Sequence, residues 1–184
     1  MPEFWMLRQR LLLRSWQEGD LEPFAAMCAD PRVMASLGPL MSRDETEALI
    51  ARVTAIEAEH GHTFWAMERR SDSLFMGWCG LIRGIVGPIV GNLEIGWRII
   101  HECEGKGYVR EAAEASLRWG FETLDDDAIY AITSTGNVRS MALMARIGMT
   151  RQSELDFEHP KVADGDPLKP HVTYRILRDE WIKG

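Results

Sequence analysis

The stretch that decides the fold is EIGWRIIHECEGKGYVREA, residues 94–112. Its first part alternates apolar and polar residues, which is typical of a strand with one buried face, and a glycine-containing loop follows directly. After the loop, apolar residues recur at intervals of three and four, as in an amphipathic helix. The first turn of such a helix offers unpaired backbone N–H groups and the positive end of a dipole, so the stretch predicts a phosphate site.

Strands and helices are predicted on both sides of this unit. A second helix begins at Asn137, which suits an N-cap, and ends before Gly148. Earlier helices are predicted over 20–29 and 42–59, the second opened by a capping box of Ser42 and Glu45. Further strands are predicted over 8–16, 63–69, 73–83, 128–135, 149–158 and 171–177. The sum is a mixed α+β domain with a sheet of about seven strands and helices on both faces.

Composition limits the classes of protein that fit. A chain of 184 residues, 46% hydrophobic and 27% charged, predicts one domain over 1–184. A net charge of −7 with scattered basic residues argues against nucleic acid as a partner. No apolar run is long enough to span a membrane, and no secretory signal is apparent. Three distant cysteines fit neither disulfides nor a metal site, so a cytoplasmic protein without a metal is expected.

In the order and spacing of its pieces, the chain resembles the GNAT superfamily of acyl-CoA-dependent N-acetyltransferases. The likeness is greatest to the ribosomal-protein N-terminal (alanine/serine) acetyltransferase branch. It is carried by residues 7–16, 75–82, 94–97, 104–112, 137–149 and 174–181. The resemblance implies a mostly antiparallel sheet whose central strand pair splays apart. It also implies acetyl-CoA as cosubstrate and an amine acceptor, and it allows a homodimer.

The resemblance also implies which residues bind the cofactor. The pantetheine arm would lie against the backbone of Trp97, Arg98, Ile99 and Ile100. The pyrophosphate would meet the N–H groups of Gly105, Lys106, Gly107, Tyr108 and Val109. Asn137 and Ser140 would contact the cofactor from the second helix. One departure concerns charge: the family usually has Gln or Arg three residues before the first glycine, and this chain has Glu102.

The chemistry needs a group that accepts a proton, because an alkylammonium is almost wholly protonated at neutral pH. Glu94 is the candidate, directly or through water; the alternative is an ion pair with an arginine on a solvated face. For the leaving thiolate, many members use a tyrosine seven residues after the asparagine, where this chain has Met144. The resemblance to the ribosomal branch implies Ser140 instead. The alternative for Asn137 and Ser140 is helix capping. A backbone N–H near Ile99 would hold the oxyanion.

Three classes of function compete. The first is an N-acetyltransferase acting on a peptide N-terminus or a small amine by direct attack in a ternary complex. The second is a non-catalytic acyl-CoA-binding module, which Glu102 and Met144 favour. The third, a dinucleotide-binding domain, needs a third glycine where the chain has Arg110. The acidic net charge suggests a cationic amine or a basic peptide terminus as the acceptor.

Overall fold

The computed structural model describes residues 4–183, so residues 1–3 and 184 of the predicted domain 1–184 lie outside the described residues. Nine strands are found within that range: β1 (Phe4–Leu7), β2 (Leu11–Arg14), β3 (Phe64–Arg69), β4 (Leu74–Arg83), β5 (Leu93–Ile99), β6 (Ala128–Ser134), β7 (Thr150–Arg151), β8 (Phe157–Glu158) and β9 (Pro170–Leu177). The α-helices are α1 (Leu21–Cys28), α2 (Pro31–Met34), α3 (Arg43–His60), α4 (Tyr108–Thr123), α5 (Val138–Arg146) and α6 (Arg178–Lys183).

The strands form one sheet in the order β1-β2-β3-β4-β5-β6-β9-β7, with β8 also pairing with β9. Every neighbouring pair is antiparallel except β5 and β6. Seven of the strands are four residues or longer, in agreement with the predicted number. The mostly antiparallel sheet predicted from the sequence is confirmed.

The parallel pair at the centre of the sheet separates soon after it begins. Leu93 lies opposite Ile129 and Glu94 opposite Tyr130, and no further pairs are formed although both strands continue. The predicted splay of the central strands is therefore confirmed, and it begins at Glu94.

Helices cover both faces of the sheet. On one face, α4 packs against β4 and β5, and Leu81, Ile95 and Leu117 belong to the larger apolar cluster there. On the other face, α1 and α3 enclose a second cluster that includes Phe24 and Trp78. The helix α3 begins with the predicted capping box of Ser42 and Glu45. These two layers place the splay between the helix pair on one side and α4 on the other.

Two predicted strands are wrong in extent. The strand predicted over 8–16 is shorter, because the chain turns back at residues 8–10 to pair β2 with β1. The strand predicted over 149–158 is broken by a 3₁₀ turn at Ser153–Leu155. The Thr173 hydroxyl of β9 donates to the Leu155 carbonyl at 2.7 Å and holds this turn. The alternation of apolar and polar residues in one segment does not indicate a hydrogen bond that a residue of another strand donates to it.

Within residues 4–183, no helix has both the length and the apolar composition required to cross a bilayer. The same residues contain no group of three or more His, Cys, Asp or Glu side chains arranged to hold a metal ion. The three cysteines, Cys28, Cys79 and Cys103, are free and buried.

Gly77 sets the distance between β4 and β5 beside the splay. Its φ is +137°, and a Cβ at this position would lie 2.1 Å from the carbonyl oxygen of Arg98. The register between β3 and β4 also shifts next to it, between Met67 and Glu68. Only glycine permits this approach without displacing backbone atoms. The position of the β5 backbone at Arg98 therefore depends on the glycine at position 77.

We expect Gly77→Ala to lower the free energy of unfolding by about 1–3 kcal/mol, because the added methyl group overlaps the backbone of β5. Urea denaturation measures the change. The matched control is Gly136→Ala, where a Cβ meets nothing within 4 Å. Equal stability of the two variants would contradict the close approach.

Candidate active site

A cavity of about 880 Å³ lies beside the splay and is bounded by β5, the loop that follows it, and the first turns of α4 and α5. Residues 32–37, around the end of α2, close its remaining side. Trp97, Arg98 and Ile99 line it from β5. The resemblance predicts each of these segments near the cofactor, except the residues around α2.

The backbone of β5 offers unpaired groups to this cavity. The Ile100 N–H donates to the Met76 carbonyl of β4 at 2.8 Å. Alternate residues of an antiparallel strand direct their backbone groups to opposite neighbours, so those of Trp97 and Ile99 turn toward the departing β6. Ile100 is not among the described residues that line the cavity. The geometry thus favours the backbone groups of Trp97 and Ile99 as hydrogen-bond partners of an extended ligand in the cavity.

The glycine loop leads directly into α4. Gly105 and Gly107 have φ of +69° and +82°, values that favour glycine, and α4 begins at Tyr108. Gly105, Gly107, Tyr108 and Val109 line the cavity, whereas Lys106 is not among the lining residues described. The first N–H groups of α4 have no acceptor within the helix, so they can bind an anion in the cavity.

Arg10 lies in the turn between β1 and β2 and contacts the glycine loop. Its guanidinium donates to the Lys106 carbonyl at 2.9 Å and to the Glu111 carboxylate at 2.8 Å. It also lies over the Tyr108 ring, 4.7 Å from the ring centre. This role of Arg10 was not predicted from the sequence, because Arg10 is far from the loop in the chain and no local pattern connects them.

The acidic residues of the loop form ion pairs with arginines from other elements. Arg32 of α2 donates to the Glu102 carboxylate at 2.9 Å, and Arg139 of α5 forms an ion pair with Glu104. The charge deficit expected from Glu102 is offset only in part, because Arg32 also forms an ion pair with Asp30. Among the described residues, five arginines line the large cavity: Arg32, Arg98, Arg110, Arg139 and Arg146. A lining of this charge suits a phosphorylated ligand.

A smaller cavity of about 150 Å³ adjoins the first and contains Glu94. The two share Trp97, Arg98 and Ser140 among their lining residues. Glu94 is partly buried, and within residues 4–183 its carboxylate has no recorded hydrogen bond or ion pair. Burial raises the pKa of Glu94 from 4.5 to about 7, because desolvation disfavours the charged form. Such a carboxyl group exchanges a proton readily near neutral pH.

Asn137 and Ser140 stand at the start of α5 and line both cavities. The Asn137 Oδ1 accepts from the Ser140 N–H at 3.2 Å, which confirms the predicted N-cap, and its Nδ2 donates to the Thr133 hydroxyl at 2.9 Å. The Ser140 hydroxyl accepts from the Trp97 indole at 3.3 Å. Within the described part of the chain, the Ser140 hydroxyl proton has no recorded acceptor, so it is available to a ligand.

Comparison with known proteins identifies the family of the chain. Residues 10–150 match the family model described as acetyltransferase (GNAT) domain. The uncharacterized N-acetyltransferase YnaD of Bacillus subtilis is 26% identical over 181 residues, which is 94% of this chain and 96% of YnaD. The crystal structure of an acetyltransferase from Agrobacterium tumefaciens is 27% identical with a TM-score of 0.75, covering 93% of this chain and 92% of its own.

These findings and the cavity agree on one class of protein, the CoA-dependent acyltransferases. The chain belongs to the GNAT acetyltransferase family, whose members carry out acetyl-CoA-dependent acetylation of amines. The ribosomal branch is only weakly supported. RimL, a ribosomal L7/L12 alpha-N-protein acetyltransferase, has a TM-score of 0.78 but is only 16% identical, covering 96% of this chain and 95% of its own, and so shows the fold alone.

We expect Gly107→Glu to weaken acetyl-CoA binding by about tenfold to a hundredfold, because its Cβ would lie 3.3 Å from Arg10 Nη2 and the new carboxylate would compete for the guanidinium that holds the loop. Isothermal calorimetry measures the affinity. Gly165→Glu is the matched control: its φ is also +82°, and a Cβ there meets nothing within 4 Å. An unchanged affinity in a folded Gly107→Glu protein would remove this loop from the cofactor site.

Proposed function

We propose that the protein transfers the acetyl group of acetyl-CoA to a primary amine by direct attack in a ternary complex. The acceptor is a peptide N-terminus or a small-molecule amine. The observation that carries the proposal is the position of Glu94, a carboxyl group with a pKa of about 7 in a small cavity that joins the large, arginine-lined one. The junction lies at the splay, where the two substrates would meet.

Acetyl-CoA would bind mainly through backbone groups of β5 and of the glycine loop. The N–H groups from Gly105 to Val109 would hold the pyrophosphate at the start of α4. The backbone groups of Trp97 and Ile99 would pair with the pantetheine amides, filling the place that β6 leaves when it diverges. Asn137 caps α5 and also lines the cavity, so its amide is placed to contact the same arm.

Glu94 would accept the proton of the amine. A carboxylate with its usual pKa is a weak base at neutral pH, and a raised pKa brings it close to the optimum for proton transfer. The small cavity also contains Phe64 and Trp78, which limit water around the carboxyl group. The proton would pass to Glu94 directly or through one water molecule.

Ser140 would stabilise the leaving thiolate. Its hydroxyl lies at the junction of the two cavities, held by the Trp97 indole, and its proton is free to be donated. The backbone N–H of Ile99, which turns away from β4, would donate to the carbonyl oxygen of the thioester as negative charge develops there.

In thiol-release assays with an amine panel, we expect Glu94→Gln to lower kcat by about a hundredfold to ten-thousandfold. In the unchanged protein, kcat/KM should rise with pH and level off above about 7, because Glu94 accepts a proton only when it is ionised. The variant should lose this step in its pH profile. Glu154→Gln, the same change at an exposed position, should retain it.

A second candidate is a non-catalytic acyl-CoA-binding module. The observation that favours it is Met144, which lines the small cavity where many members of the superfamily carry a tyrosine. Calorimetry with acetyl-CoA, with CoA and NAD as comparators, separates the alternatives when combined with the amine panel. Acetyl-CoA binding without thiol release on any amine would establish the module and reject the transferase.

We expect Ser140→Ala to lower kcat by about tenfold to a hundredfold, the value of one hydrogen bond to a charged group. The acetyl-CoA affinity measured by calorimetry should stay within a few fold, because the hydroxyl acts on the thiolate that forms during the reaction. Ser153→Ala, at an exposed position, is the control. Equal kcat values for the unchanged protein, Ser140→Ala and Ser153→Ala would show that Ser140 has no catalytic role and serves only in the first turn of α5.

A further inference from the structure

The side chain of Arg98 lies in an unusual environment for a guanidinium. It is half-buried and projects from β5 toward the cluster under α1 and α3. Its Nη1 lies 3.1 Å from the Cys28 sulfur and 3.8 Å from the Met41 sulfur. The group also stacks over the Trp78 ring, 5.2 Å from the ring centre. These contacts fix the orientation of the guanidinium.

None of these contacts supplies a negative charge. Thiol and thioether sulfur are weak acceptors, and an aromatic face compensates a cation only in part. Within residues 4–183, no ion pair is recorded between Arg98 and any carboxylate. A half-buried cation without a counterion is costly to maintain. Of the other arginines described in the large cavity, Arg32, Arg110 and Arg139 are paired with carboxylates, and Arg146 is exposed, so water solvates its charge.

Arg98 and Glu94 face the same cavity from the same side of one strand. Residues four apart on a strand point to the same face, with Cα atoms roughly 13 Å apart. Both side chains line the small cavity, so a basic and an acidic group stand at separate points around one space of about 150 Å³. A ligand with an ammonium and a carboxylate would match both groups.

We propose that Arg98 forms a carboxylate-binding subsite, and that the amine acceptor therefore also carries a carboxylate. This inference rests on the proposed function, because it assigns the acceptor's amine to Glu94. The guanidinium would bind the carboxylate through its Nε and Nη2, which have no recorded partner among the described residues. The acceptor class is then an amino acid or a related amino carboxylate, in contrast to the cationic acceptor that the net charge suggested.

The position of Arg98 distinguishes carboxylate binding from cofactor binding. The anionic groups of acetyl-CoA belong at the glycine loop, where backbone N–H groups and paired arginines are available. Arg98 instead stands at the splay, beside the uncharged pantetheine arm, and reaches the small cavity that contains Glu94. A phosphate at Arg98 would leave the glycine loop without its ligand.

The test is a thiol-release assay with acetyl-CoA and matched acceptor pairs, each amino acid offered as the free carboxylate and as its primary amide. We expect the unchanged protein to prefer the carboxylate. Arg98→Gln should lower kcat/KM for the carboxylates by about tenfold to a hundredfold and leave the amides nearly unchanged. Arg98→Lys, which keeps the charge but not the planar fork, should fall between the two. Arg118→Gln, at an exposed position on α4, is the control.

Two further measurements separate the alternatives. Acetyl-CoA affinity by calorimetry should be the same in Arg98→Gln as in the unchanged protein, and a large loss would assign Arg98 to the cofactor. A small carboxylic acid without an amine should compete with the acceptor in the unchanged protein and lose this effect in Arg98→Gln. Competition is measured at an equal folded fraction of both proteins, which thermal unfolding checks. Loss of competition in Arg98→Gln then cannot result from a purely structural role of Arg98.

The outcomes distinguish this inference from the function on which it rests. Turnover of amides as fast as carboxylates, or an equal loss for both in Arg98→Gln, would overturn the subsite and leave the acetyltransferase in place. Turnover of neither member of any pair, with turnover of another amine in the panel, would overturn the subsite alone. Thiol release on no amine of the panel, with acetyl-CoA bound, would reject the transferase and the subsite together.

Discussion

The separation of β5 from β6 is the constraint on which the rest of the site depends. Two parallel strands begin to pair at Leu93 and Glu94 and then part, which leaves backbone groups at Trp97 and Ile99 without a strand partner. Buried backbone polar groups are costly when unpaired, so a gap of this kind calls for a ligand with amides of its own. The glycine loop and α5 border this gap, because each directly follows one of the two strands.

Electrostatics around the gap is assembled from distant parts of the chain. The loop carries Glu102 and Glu104, which by themselves oppose an anionic cofactor. Arg32 and Arg139 pair with them from α2 and α5, and further arginines in the lining, such as Arg146, add positive charge to the cavity. The small cavity differs, because Glu94 has no recorded partner within the described residues and its pKa is raised by burial. One region is therefore suited to binding phosphate and the other to exchanging a proton.

Much of the fold could be predicted from the sequence, because each signal was local. The capping box at Ser42, the N-cap at Asn137 and the glycine loop before α4 lie where the pattern placed them. The strands over 8–16 and 149–158 were predicted with the wrong extent. Their ends depend on a chain reversal and on a hydrogen bond from β9, and neither is encoded in the alternation of the strand itself.

The sequence by itself determined the order of most elements, the glycine loop before α4 and the resemblance to the family, since these follow from neighbouring residues and their spacing. Only the tertiary structure decided the charge state and partners of the site residues. Glu94 acquires its raised pKa, and Arg98 its sulfur and aromatic contacts, from residues on other elements. The physical reason is that solvation and Coulomb interactions depend on distance in space, which the spacing of residues along a chain does not specify.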